Sequence, residues 1–282
     1  TLLSNYKIEN VNRIAIDPII GKFCNDYPAD IKCHEGFFNL ENAKNFLADQ
    51  KAHLITSISM FYDLPDPSDF VSGIEHILAD DGIWVLEQSY LLLMLERNAF
   101  DTICHEHLEY YAFSQIDQLT KEAGLRVIDV ELNDCNGGSF RVAEARHESN
   151  TQSNTKNIDV LKEKEKQLKL NTSKPYDDFM ERIEKIKNQI NTFLNEANSN
   201  NKTVYIYGAS TKGNTLLQHF DIDNKKVVAA LEVNPEKFGH RTPGTNIPII
   251  DEHSLKDTIP DYLLVLPWHF KETLFATNRP LL

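Results

Sequence analysis

The sequence is short of the features that assign a protein quickly. Among its 282 residues are only four cysteines, Cys24, Cys33, Cys104 and Cys135. They are widely spaced and none forms a C-x-x-C pair, so no zinc or redox motif is read and free thiols of a reducing cytoplasm are expected. Apolar runs such as Tyr90 to Leu95 are far too short to span a bilayer, and no signal peptide opens the chain. No membrane partner is therefore expected, and the expected location is cytoplasmic. Basic residues are the minority charge: 29 Lys and Arg stand against 42 Asp and Glu, a formal net charge of −13. Proteins that neutralise many phosphates need the opposite balance, so no nucleic-acid partner is expected. The chain opens on Thr1 with no strand before Leu2 and Leu3. It is expected to be a fragment, cut at the N-terminus and at the C-terminus too.

What is present fits a globular protein of two domains: 41% hydrophobic and 25% charged residues. From residue 1 to 147, β-rich runs (Asn12 to Asp17, Ala52 to Ser57, Gly82 to Glu87) alternate with helical spacing over Leu40 to Gln50 and Asp69 to Asp80. Leu125 to Glu131 and Ser139 to Ala145 follow as strands. This alternation predicts an α/β layer with a parallel sheet. Residues 148–200 turn rich in Lys, Glu, Asn and Gln, with Phe179, Ile183, Ile186, Ile190 and Leu194 at helical intervals, and predict a connector of long amphipathic helices. Its charge run Lys162 to Lys166 reads as a solvated face. Residues 201–282 resume the α/β pattern, with strands at Thr203 to Tyr207, Val227 to Glu232 and Tyr262 to Leu266 and a helix at Asn214 to Phe220.

Three polar clusters carry potential chemistry. Cys104-His105-Glu106-His107 offers two imidazoles flanking a carboxylate, which suits acid–base work. His105 and His107 are two apart, and the helical zinc pattern needs four-residue spacing, so no metal site is expected here. Asp17, at a strand end before Pro18, is placed to accept from a ribose diol, although Asp is also common in turns. Gly208-Ala209-Ser210-Thr211-Lys212-Gly213-Asn214 joins a strand to a helix. Small residues and a helix N-terminus favour an anion, yet the spacing is not that of a Walker loop, and a plain tight turn is the alternative. Asn136-Gly137-Gly138-Ser139 reads equally as a turn before a strand.

Together these segments resemble a known family. Glu87-Gln88-Ser89-Tyr90, Phe100-Asp101-Thr102-Ile103-Cys104-His105-Glu106-His107 and Asn136-Gly137-Gly138-Ser139-Phe140-Arg141 are similar to the core of sugar C-methyltransferases of deoxysugar biosynthesis. Tyr207 to Asn214, Pro243-Gly244-Thr245, Ile247-Pro248-Ile249 and Leu266-Pro267-Trp268 are similar to that family's C-terminal domain. The resemblance implies a class I methyltransferase-like Rossmann domain over residues 1–147, truncated at its N-terminus. The helical connector and a second Rossmann-like α/β domain over 201–282 follow it. It implies S-adenosylmethionine as cofactor, with zinc confined to an N-terminal module that this chain lacks, and a nucleotide-linked keto-sugar as substrate. His107 matches the family's general base, with Glu106 and His105 beside it. Asp17, Phe37, Phe38, Ser57 and Ser59 are expected at the cofactor, and Tyr90, Ser210, Thr211, Lys212 and Asn214 at the substrate. Three positions depart from the pattern: Cys104 stands where the family often has Tyr, and Ser59 and Asp63 where it has Asn and His. Tyr62 and Tyr110 are alternative sources of a hydroxyl. Two further readings stay open, a nicotinamide-dependent sugar oxidoreductase using Glu232 to read a ribose and a non-catalytic sugar-nucleotide-binding protein.

Overall fold

The computed structural model describes residues 2–47, 50–255 and 259–276. In chain order its main elements are α1 (Leu2–Asn5), β1 (Arg13–Asp17), β2 (Ile31–Glu35), α2 (Leu40–Leu47), β3 (Ala52–Ile58), α3 (Pro67–Ile77), β4 (Leu78–Ser89), α4 (Leu91–Glu96), α5 (Phe113–Glu122), β5 (Leu125–Asn133), β6 (Ser139–Arg146), α6 (Thr155–Leu168), α7 (Lys174–Ser199), β7 (Val204–Tyr207), α8 (Thr211–His219), β8 (Ala230–Glu232), β9 (Ile249–Asp251), β10 (Tyr262–Val265) and α9 (Lys271–Ala276). The expected helix end at residues 48 and 49 lies outside the described residues. Contacts gather the chain into two units. One comprises Thr1–Glu87, Ser114–Glu131 and Arg141–Asp159, the other Gln88–Phe113, Leu132–Phe140 and Val160–Leu282.

In the first unit the strands form two hydrogen-bonded groups, a parallel pair β1-β2 and a four-stranded sheet in the order β3-β4-β6-β5. β3 and β4 are parallel, with Leu54 opposite Ile83 and Ser57 opposite Leu86. Ile14 of β1 and Ile55 of β3 both pack on the cluster of Ala43, Leu47 and Ile77 from α2 and α3. The two groups thus share one helical cover without hydrogen bonding to each other. The start of α3 follows from its sequence. The Asp66 side chain accepts from the Asp69 amide at 3.0 Å, and Pro67 occupies the first turn, where no amide is needed. The sequence pattern extends this helix to Asp80, but Leu78 already pairs with Ala52, so strand pairing takes over earlier. Trp84, Phe61 and Phe70 form an aromatic core with ring centroids 5.6–6.3 Å apart. Burial of each such side chain contributes about 1.5–3 kcal/mol.

The second unit is built on the parallel sheet β10-β7-β8-β9. Its core joins Val204, Ile206, Ala230 and Ile249 of the strands to Phe179, Ile183 and Leu194 of α7 and to Leu91, Met94 and Leu95 of α4. The connector is two helices, α6 and α7, and α7 buries one apolar stripe in this core. Among the described residues no helix is long and apolar enough to cross a membrane.

Candidate active site

The strand order of the second unit locates its ligand end. From β7 the chain runs outward through β8 and β9, then returns to the other side of β7 as β10. The order reverses between β7 and β10, and in open parallel sheets ligands bind beyond the carboxyl ends of the strands at such a point. The two loops that leave those strands touch. A Cβ on Gly208 would stand 3.2 Å from Pro267 Cδ, and one on Gly213 would stand 2.9 Å from Leu266 Cδ1. Gly208 also has φ +87°, so glycine is required there on two counts. Ser210 caps α8 by accepting from the Gly213 amide at 3.0 Å, which leaves Thr211 and Lys212 in the first helical turn. Asn214 follows with its side-chain oxygen buried and without a hydrogen-bond donor among the described residues.

Beside these loops sits the three-residue turn Phe100–Thr102. The Phe100 ring lies 4.3 Å from that of His219 at the end of α8. Trp268, three residues past the end of β10, donates its indole N–H to Asp101 Oδ1 at 3.1 Å. Asp101 is almost fully buried. The chain then turns tightly, Cys104 donating to the Thr102 carbonyl and His107 to that of Cys104. This brings the half-buried His107 ring back onto the Thr102 carbonyl, to which it donates. That bond fixes one ring nitrogen as the donor. Burial lowers the His107 pKa below the usual imidazole value, and the Lys212 ammonium lowers it further, against the Thr102 carbonyl and the Glu106 and Asp101 carboxylates. The neutral form, which can accept a proton, is thereby favoured. Glu106 and His105 are exposed on the same loop and Cys104 is buried.

Asn136-Gly137-Gly138 is more than a generic turn. All three residues have positive φ, 53°, 92° and 137°. A Cβ on Gly137 would meet the Trp268 ring at 3.2 Å, and one on Gly138 would overlap Leu93 Cβ at 2.7 Å. The loop is thus the surface against which Trp268 is seated. Tyr90 is fully buried, and its hydroxyl donates to Glu165 at 2.8 Å. Burial and that carboxylate push the phenol far up, so it stays protonated. Glu165 also accepts from the Phe113 amide, so Tyr90 ties α6 to the start of α5.

The residues expected at the cofactor all lie in the first unit. Asp17 ends β1, exposed. Its Oδ1 accepts from the Ile19 amide at 2.8 Å, which leaves Oδ2 without a donor among the described residues. Phe37 is exposed at 68%, whereas Phe38 packs edge-on against Phe70 with centroids 4.9 Å apart. Ser57 is buried and accepts from the Trp84 indole at 3.1 Å. Ser59 adopts φ 53° just past β3 and donates its amide to the Glu87 carbonyl at 2.7 Å. A non-glycine residue held in this region marks an irregular strand end of the kind found at ligand sites. Tyr62 is buried and Asp63 exposed. Among the described residues no three His, Cys, Asp or Glu are grouped to hold a metal ion.

Sequence reasoning missed Asp101, Trp268 and His269 as members of this cluster. The first two fall inside motifs already noted, but their contact joins positions 167 residues apart and has no local pattern. Glu232 has a different role from that in a dinucleotide enzyme. Its Oε1 accepts from the Val233 and Asn234 amides, and its Oε2 from the Ala209 amide and Lys237 Nζ. A carboxylate with four donors has no lone pair left for a ribose diol, which counts against the oxidoreductase reading.

Fold and site together define a two-unit α/β protein with a half-buried imidazole near the switch point of its second sheet. The profile of the C-methyltransferase C-terminal domain family matches residues 134–282, and the chain belongs to that family. C-methyltransferase NovU of Streptomyces niveus is 30% identical over 231 residues, 82% of this chain. The chain spans about half the length of this curated relative, 55%. Among solved structures, an S-adenosylmethionine-dependent methyltransferase from Clostridium acetobutylicum is 11% identical, with TM-score 0.38 over 48% of this chain and 75% of that one. A complex of the Trm112 methyltransferase activator with a methyltransferase from Haloferax volcanii gives 13% identity and TM-score 0.39, over 51% of this chain and 87% of that one. Likenesses this low add nothing to the assignment.

Proposed function

We propose that the protein carries out S-adenosylmethionine-dependent C-methylation of a nucleotide-linked keto-sugar. The observation that supports this most directly is the half-buried His107, held neutral beside Lys212 at the switch point of a nucleotide-binding type of sheet. Family membership supports the reaction type, as NovU is named a C-methyltransferase.

The residues fit the cofactor. Asp17 keeps one oxygen without a donor at a strand end, and Phe37 and Ser59 stand near the ends of β2 and β3. Asp17, Phe37, Phe38, Ser57 and Ser59 would hold S-adenosylmethionine, with Phe38 and Ser57 acting from the core side. When bound, the cofactor supplies a methyl group on a sulfonium, an electrophile that protein side chains lack. The chain's own work is proton handling and orientation. A ketone beside the target carbon acidifies its C–H bond. His107 takes that proton, and the electron pair left behind delocalises onto the ketone oxygen. Glu106 and His105 line the approach to the base. The amides of Thr211 and Lys212, the Lys212 ammonium and the Ser210 and Asn214 side chains would bind the diphosphate and its sugar. Tyr90 enters as support, because its hydroxyl is bonded to Glu165.

The test uses the full-length protein and a keto-sugar nucleotide. Methyl transfer from labelled S-adenosylmethionine to that substrate is the expected result, together with solvent deuterium entering the target carbon when the methyl donor is omitted. His107→Asn should lose both activities and keep cofactor binding. Methylation by His107→Asn at the wild-type rate, or no transfer to any keto-sugar nucleotide by the wild type, would overturn the proposal.

A further inference from the structure

An ion pair at the end of β8 grips the backbone of a single residue, Ala209. That residue lies between Gly208, whose amide donates to the Leu231 carbonyl at 2.9 Å, and Ser210, which caps α8. The Ala209 amide donates to Glu232 Oε2 at 3.2 Å, and the Ala209 carbonyl accepts from Lys237 Nζ at 2.9 Å. Lys237 Nζ also stands 3.3 Å from the same Glu232 oxygen, which closes a ring of three contacts. Glu232 ends β8, and Lys237 is held in the turn Pro235–Lys237, where Asn234 accepts from the Glu236 amide at 3.0 Å. The Glu232 side chain is 11% exposed. Burial pushes its carboxyl up, but the Val233 and Asn234 amides, the Lys237 ammonium and the Ala209 amide together bring it below the usual value, so it is ionised at neutral pH.

We propose that Glu232 and Lys237 are positioning residues for the diphosphate of the substrate, holding the Ala209 backbone so that Ser210 and the first turn of α8 meet the phosphates already ordered. The inference rests on the loop 208–214 being the diphosphate site. The amide of Ala209 belongs to the peptide before its Cα and the carbonyl to the peptide after it, so the contacts fix both torsions of that residue. A trans peptide points its C=O and N–H in opposite directions. Holding the Ala209 carbonyl on Lys237 therefore turns the Ser210 N–H away from the ion pair. A loop free at Ala209 must be ordered when the ligand arrives, which weakens binding, whereas a loop ordered beforehand carries no such cost. The pairing also matters for charge. An unpaired Glu232 carboxylate would repel an anion at the α8 N-terminus, and Lys237 cancels that charge locally. Neither residue needs to touch the phosphates to act.

Three measurements on the full-length protein test this. The first needs no ligand: hydrogen–deuterium exchange over residues 208–214, read by mass spectrometry. Lys237→Met should speed exchange there, and Lys237→Arg, which keeps the charge and the donors, should restore most of the protection. The second is calorimetric titration with inorganic pyrophosphate, whose affinity should fall roughly tenfold in Lys237→Met. The third is the split of kinetic constants. KM for the keto-sugar nucleotide should rise by a similar factor in Lys237→Met, while kcat and the affinity for S-adenosylmethionine stay at wild-type values. Wild-type exchange or wild-type pyrophosphate affinity in Lys237→Met would overturn the inference even if methyl transfer is confirmed. A wild type that does not bind pyrophosphate, or a variant that loses kcat at unchanged KM, would overturn it as well. Faster exchange and weaker pyrophosphate binding in a protein that transfers no methyl group would leave it standing and remove the functional reading instead.

Discussion

Glu144 offers the sharpest test of the first unit. It lies in β6, fully buried, and neither carboxyl oxygen has a hydrogen-bond partner among the described residues. The Thr120 hydroxyl beside it gives its single proton to the Ile116 carbonyl at 2.9 Å. Burial raises the Glu144 pKa well above the usual carboxylate range and the Asp117 charge adds to that, against a smaller opposing effect of the Thr120 hydroxyl. The folded protein therefore holds a proton here that the unfolded chain releases near pH 4.3. Stability from this site is fully present below that pH and is lost as pH rises toward the folded-state pKa. The slope is that of one proton, about 1.4 kcal/mol per pH unit. Glu144→Gln cannot ionise, so it should lose the slope while keeping the shape of the side chain. Thermal unfolding of the wild type and Glu144→Gln at half-unit steps from pH 5 to 8 reads the effect. Relative to the variant, the wild-type midpoint should drop with each pH unit by several degrees, at about 2–4 °C per kcal/mol for a chain of this size. The comparison of slopes matters more than either midpoint, because a buried amide carries its own pH-independent cost. Parallel curves for the two proteins would show that Glu144 is solvated or paired and would refute the reasoning.

Other perturbations probe the second unit and the cofactor residues. Gly138→Ala places a Cβ 2.7 Å from Leu93 Cβ at φ +137° and should destabilise the fold by about 2–4 kcal/mol in urea titrations; a shift under ~0.5 kcal/mol would contradict the packing described. Asp17→Ala should weaken S-adenosylmethionine binding by roughly tenfold or more in calorimetric titration, the loss of a charged acceptor, and unchanged affinity would remove Asp17 from the site. Lys212→Ala should raise the KM for the nucleotide sugar. Because the ammonium lowers His107, its removal should also move the His107 titration to higher pH, and an unmoved His107 would place Lys212 elsewhere.

Much of this architecture was legible because periodicity is a local signal. The long strands, the two connector helices and the strand–turn–helix at Tyr207 to Asn214 each carry their own pattern. β2 was not legible, since five residues with only Ile31 and Cys33 apolar make too short a pattern, and β9 is only three residues long. The run Leu91–Leu95 is apolar on every side and shows no period, because α4 buries its whole circumference. In the site, His107 stood out as one member of a dense polar cluster. Asp101 and His269 did not, since an acid in one loop and an imidazole in another gain meaning only from the 3.9 Å between them. The glycines at 137 and 138 looked like turn formers, and their role in seating Trp268 depends on what lies above them.

The contact between Trp268 and Asp101 also bears on how the protein is made. The Asp101 carboxylate beside the His107 loop leaves the ribosome 167 residues before the indole that fixes it. At about 5–20 residues per second the delay is roughly 10–30 s. During that interval the first unit has its own strands to pair, but Gln88–Phe113 must wait as unfinished chain for β7, α8 and β10. The surroundings of His107 are completed only when that later segment is in place.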